Sequence, residues 1–400
     1  MTGRDLVKAA MRCETVERIP WVPFVGVHGG HLINVKATDY LKSADLLLAG
    51  MDKAIELYNP DGLPVVFDLQ IEAEILGCDL EWADENPPAV VSHPLAGSKL
   101  LKDLHIPKPD EGRLPVVLDA AKRAREKYPD IALYGLITGP FTLALHMLGT
   151  DIFMKMMMEP QTVIELFDFT KKVAVAMADY YIESGCDVIA IVDPMTSQIG
   201  PEQFRQFVTE PVTEIFVHIR ERNVLSSFFV CGHAQQNVEA MCECKPDNVS
   251  VDENIPLDFV RDVTLDKGVS FGGNMQLTVV LLLGTPEDAQ RHAIECIEIG
   301  GDTGFILAPG CDLPYATPVD NIAAVATVVH DPYQRQVAKT LSASSETHDV
   351  LDMSEYGKTD KVVVDIITLD SEACAPCQYM VESVKSIAPQ FENIVEWREH

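Results

Sequence analysis

Positive charge is scarce in this chain. Lysine and arginine number 31 against 61 aspartates and glutamates, a formal net charge of −30 over 400 residues. Such a surface repels nucleic acid and anionic lipid, so neither is expected as a partner. Long apolar runs are missing too. The longest, such as Val279–Leu283, fall far short of the roughly 20 residues that span a bilayer as a helix. The opening MTGRDLVKAAMRCETVERIP lacks the order of a secretory leader and reads as an amphipathic helix. There is no disulfide framework: the 10 cysteines are scattered and mixed with 14 methionines, which suits a reducing cytoplasm. No GxGxxG follows any apolar run, and no block of matching letters recurs at a 20–50-residue period.

What is present is an alternation. Short β-rich runs stand at 21–26, 63–68, 132–137, 187–193, 224–231, 248–252, 269–273 and 303–308, mostly apolar on both faces, as buried parallel strands are. Helical stretches separate them. Pro160–Ser184, Pro201–Arg222 and Pro286–Ile299 each open on proline, and the first and last close on glycine. Roughly eight strand–helix units predict an α/β fold, a (β/α)8 TIM barrel over residues 1–332; an open doubly wound sheet is the rival. Residues 333–360 turn polar and read as a linker. A second, small α/β unit follows at 361–400: strand, helix, short strand.

Barrels of this kind place chemistry at the C-terminal ends of their strands. The catalytic candidates there are Asp68, His146, Asp193 and Asp252; Asn274 and Gln276 are candidate cofactor contacts. Each has a plain structural reading, since an aspartate after a strand often caps a helix. The run MKMMMEP reads as core filler. The stretch FFVCGH offers more. Cys231 and Cys311 both fall just past expected strands, so their loops open on one mouth. Residues two apart on extended chain point the same way, which lets Cys231 and His233 face one ion. Cys231, His233 and Cys311 form a possible zinc set, although the spacing alone is a weak signal.

The segments FFVCGHAQQNVEAM, NVSVDENIPL, SFGGNMQL, GPFTLALHMLG and GFILAPGCDLPYATPVDNIAAV resemble the uroporphyrinogen decarboxylase superfamily, above all its methylcobamide:coenzyme M methyltransferase branch. The resemblance covers roughly residues 1–330 and implies the same barrel. It implies a zinc-activated thiol accepting a methyl group from a methylcorrinoid carried by a separate corrinoid protein, with Cys231 and Cys311 matching two zinc ligands. Asp193 and Asp252 would orient those ligands from behind. The branch's ligating histidine falls at Phe229, leaving His233 as the substitute. A decarboxylase of the parent family is the alternative. Its substrate-binding aspartate matches Asp68, but its tyrosine falls at His146, and PFVGVHGGHLI lacks the arginines that would hold substrate carboxylates.

In the last unit, Cys374 and Cys377 form CAPC between a strand and a helix, an order that resembles the first half of a thioredoxin-like domain. A helix N-terminus favours a thiolate, so a redox-active dithiol is expected. The third functional alternative is a non-catalytic barrel that binds a corrinoid or ligand and senses redox state through this pair.

Overall fold

The computed structural model describes residues 1–342, 361–366, 375–391 and 394–399. The barrel strands are β1 (Gly62–Pro64), β4 (Ala132–Thr138), β5 (Val188–Val192), β6 (Leu225–Val230), β7 (Asn248–Val251), β8 (Ser270–Met275) and β9 (Phe305–Pro309). Strands β2 (Leu80–Glu81) and β3 (Ala89–Val90) make a small antiparallel pair outside the barrel. The seven barrel strands run parallel in the order β1-β4-β5-β6-β7-β8-β9, and every residue of β4, β5, β7, β8 and β9 is buried. Helices pack on the outer face of this sheet, which is why the strands carry continuous apolar runs.

The expected first strand at 21–26 is reduced to a bridge. Trp21 pairs with Leu307 in parallel, the Val22 N–H donates to the Leu307 carbonyl at 3.0 Å, and the Leu307 N–H donates to the Pro20 carbonyl at 3.0 Å. On the other side the Asp61 N–H donates to the Trp21 carbonyl at 2.8 Å. This short segment closes the ring between β9 and β1 and completes the (β/α)8 architecture. Pro20 and Pro23 have no N–H to extend a ladder in either direction, which limits it to a bridge.

The N-terminal helix Gly3–Met11 is pinned beneath the barrel by charge. Arg4 and Lys8 meet the buried Asp187 carboxylate at 2.6 and 2.7 Å, and Arg125 joins them. Of the methionine run, Met156 is buried, whereas Met154, Met157 and Met158 are 60%, 82% and 73% exposed. The run is therefore not core filler: it forms helix Asp151–Met158, and one face suffices to pack it.

The expected linker begins as a helix. Pro332–Ser342 packs on the helices Pro286–Gly300 and Val319–His330. In the small unit, β10 (Val362–Ile366) and β11 (Val395–Glu399) pair in parallel across the helix Ala375–Ile387. That helix packs on the barrel. Tyr379 stacks on His93 with ring centroids 6.4 Å apart, and the helix touches Pro194–Gln198, just past β5. Among the described residues, no helix is long and apolar enough to cross a membrane.

Candidate functional site

At the C-terminal end of the barrel, the loops after β6 and β9 bring Cys231 and Cys311 together, with their sulfurs 3.0 Å apart. Cys231 is buried and Cys311 half-buried. Asp252, at the end of β7, fixes the loop that carries Cys231. Its Oδ2 accepts the Gly232 N–H at 2.5 Å and the Asn254 amide at 2.9 Å. Burial raises the Asp252 carboxyl above its ordinary value, while these donors and the charge of His233 pull against that rise.

His233 does not join the sulfurs. It is exposed, because Gly232 adopts φ +92° and turns the chain before it. The rule that residues two apart share a face holds on extended backbone, and β6 ends at Val230. Among the described residues no three His, Cys, Asp or Glu side chains gather as a metal cluster.

Phe229 packs inside the barrel, with its ring 5.1 Å from Phe24 and 5.9 Å from Phe67, an apolar floor two residues below Cys231. Such aromatic contacts contribute about 0.5–1.5 kcal/mol each beyond area burial.

Glu253 follows Asp252 at the same strand end, where the sequence already places it beside Asp252 without assigning it a role. Its Oε1 accepts the Leu277 N–H at 3.0 Å, while its buried Oε2 has no hydrogen-bond partner. A Cβ on Gly310 would meet that oxygen at 2.1 Å, so glycine before Cys311 leaves room for the carboxyl. Burial pushes the Glu253 carboxyl up to about 7. The two sulfurs are soft donors of the kind zinc takes, and the Glu253 carboxyl lies beside the loop that carries Cys311 without completing a three-ligand cluster among the described residues.

The other candidates are placed differently. Asp68 is buried and ion-paired with Arg113, which also meets Glu74 at 2.7 Å, and its Oδ1 accepts the Gln70 N–H at 2.9 Å. Asp193 accepts the Phe141 N–H at 3.0 Å and both the N–H and hydroxyl of Thr142 at 2.7 Å. It thus caps the start of helix Pro140–Leu148, and burial pushes its carboxyl up to about 6. Asn274 donates to the carbonyls of Asp252 and Ile255 at 3.2 and 2.7 Å, fixing the loop after β7, while Gln276 is half-buried just beyond β8. His146 is buried with neither ring nitrogen partnered, and burial pushes its pKa down to about 3. Cys377 lies in helix Ala375–Ile387; Cys374 falls outside the described residues. Arg113 gave no advance signal, since its partner is 45 residues away.

Comparison with known proteins agrees with this architecture. The methylcobamide:CoM methyltransferase MtbA of Methanosarcina acetivorans is 28% identical over 333 residues, 80% of this chain and 95% of that protein. MtaA of Methanosarcina barkeri, another methylcobamide:CoM methyltransferase, is 30% identical over 292 residues, 70% of this chain and 83% of that protein. A solved methyltransferase from Methanosarcina mazei superposes with a TM-score of 0.77 at 25% identity, covering 83% of this chain and 99% of that one. The profile of the uroporphyrinogen decarboxylase (URO-D) family matches residues 2–332, and the chain belongs to that family.

Proposed function

We propose that the barrel is a corrinoid-dependent methyltransferase that moves a methyl group from a methylcorrinoid protein to a thiol acceptor. The observation that carries this reading is the convergence of Cys231 and Cys311 at the mouth. The likeness to proteins named for methylcobamide and CoM supports it.

Cys231 and Cys311 would hold zinc, and the Glu253 carboxyl beside Gly310 would have to move toward them to serve as a further donor in place of the missing histidine. Zinc bound there keeps an acceptor thiol in its thiolate form at neutral pH. Asp252 holds the Gly232 turn and so presents Cys231 to the mouth. Phe24, Phe67 and Phe229 exclude water from beneath the sulfurs. Arg113 is engaged by Asp68 and Glu74, so it leaves little positive charge for a polycarboxylated tetrapyrrole, and decarboxylation is the weaker reading.

In this scheme the C-terminal unit is a redox module: β10 and β11 pair in parallel, and helix Ala375–Ile387 carries Cys377, the second cysteine of the CAPC sequence. Its Tyr379 stacks on His93, and its helix touches Pro194–Gln198 just past β5. The partners are a corrinoid protein and a small thiol in the cytoplasm.

The test is zinc content together with methylcobalamin-dependent thiol methylation in the full chain. We expect about one zinc per chain, the usual load of a single catalytic site. Cys231→Ser and Cys311→Ser should each remove the zinc and the methyl transfer. Full zinc and full activity in both variants would overturn the assignment.

A further inference from the structure

On the opposite face of the barrel lies a cavity of about 440 Å³ that the proposed chemistry does not use. Arg12, Arg220, Lys245 and Lys267 line it, with Asp247 and Cys242. We propose that this cavity binds a compact multivalent anion, phosphorylated or polycarboxylate. The case rests on charge. In a chain of net charge −30, four cations converge on one hollow. None of the four makes an ion pair among the described residues.

Cations elsewhere near this face are matched. Arg4, Lys8 and Arg125 share Asp187, and Arg18 meets Asp61 at 2.6 Å. The one carboxylate among the lining residues is already engaged, and so is Glu243, whose charge also reaches Lys267. Asp247 Oδ2 accepts the N–H and hydroxyl of Ser226, both at 2.8 Å, and Glu243 is held by Arg205 at 2.8 Å.

Helix ends account for the location of the cations but not for their surplus. Arg12 and Lys267 cap the C-termini of Gly3–Met11 and Leu257–Asp266, and Arg220 sits in the last turn of Thr209–Glu221. Each helix end supplies only about half a unit of negative charge. Arg220 is steadied by donating to the Lys245 carbonyl at 2.6 Å, where Lys245 takes a left-handed φ of +59°. A concave site of this volume suits a small metabolite-sized ligand.

The experiment is titration calorimetry of the full chain at low salt, with inorganic pyrophosphate in one arm and citrate in the other. At least one should bind with a dissociation constant below about 1 mM, and the tighter arm identifies the ligand class. The Arg220→Gln/Lys267→Gln double variant should weaken that binding by about tenfold or more, because two charge-assisted contacts are lost. Lys53→Gln, a charge change remote from the cavity lining, should leave it unchanged. Thermal melts of the double variant should match the parent, since both side chains are exposed. No heat in either arm at 10 times that concentration, or equal binding in the double variant, overturns the site.

Discussion

Asp68 and Cys231 leave the barrel at the same face and have opposite surroundings. The Asp68 carboxylate is buried against Arg113 and takes the Gln70 N–H, so its lone pairs are committed to holding the loop after β1. Cys231 is held through its neighbour, by Asp252 on the Gly232 N–H, and its sulfur meets that of Cys311. One side of the mouth uses its polar groups as fasteners. The other fastens the backbone and presents the side chains. The proposed chemistry uses the second side, because a buried carboxylate committed to an ion pair has little capacity left for a substrate.

The sharpest way to break this contrast is Asp68→Asn. It removes one charge of a buried pair and leaves Arg113 in place. Breaking such a pair costs about 3–5 kcal/mol, and the lower end is expected because Glu74 still meets Arg113. Denaturant unfolding should report that loss, while the folded variant should match the parent in the zinc content and methyl transfer proposed for the barrel. A collapse of methyl transfer without loss of stability would move Asp68 to the reactive side.

Asp193→Ala is the next test. The carboxylate takes three donors at the start of helix Pro140–Leu148, and removing it leaves Phe141 and Thr142 without their acceptor. A loss of about 2 kcal/mol is expected, the upper end for a helix cap. Thiol methylation per folded molecule should change little.

Much of this contrast was legible in the residues, and what was not has particular causes. The alternation of apolar runs and helices gave the barrel because both faces of a parallel strand are covered. Cys231 and Cys311 were legible as a pair because topology alone sends the ends of β6 and β9 to one mouth. His233 misled, since its orientation depends on the φ of Gly232, and a letter in a sequence does not state a dihedral. Asp68 and Asp193 were ambiguous because anchors and catalysts use the same residue types; the partners that decide, Arg113 and Thr142, are 45 and 51 residues away. Glu253 was legible as a strand-end residue beside Asp252, but not its unpartnered Oε2 beside Gly310, which depends on packing between two loops. The segment 21–26 has strand letters, yet two prolines restrict it to a bridge.

His146 belongs to neither side yet, and pH decides between them. It is fully enclosed, its ring nitrogens have no partner, and burial lowers its pKa to about 3. The folded chain therefore holds it neutral, whereas the unfolded chain protonates it near 6.5. The sign follows: its contribution is fully present above the unfolded value and is lost as pH falls from about 6.5 toward 3. Between pH 7 and 6 the cost is below about 1 kcal/mol, the smallest of these effects. His28, lowered to about 4 by burial, adds to the same slope, so the parent should lose stability steadily on acidification. His146→Leu fills the space without a titrating group and should flatten part of that slope, with methyl transfer intact. If the variant keeps the slope and loses methyl transfer, the unpartnered imidazole is waiting for a substrate, and His146 joins Cys231 and Cys311.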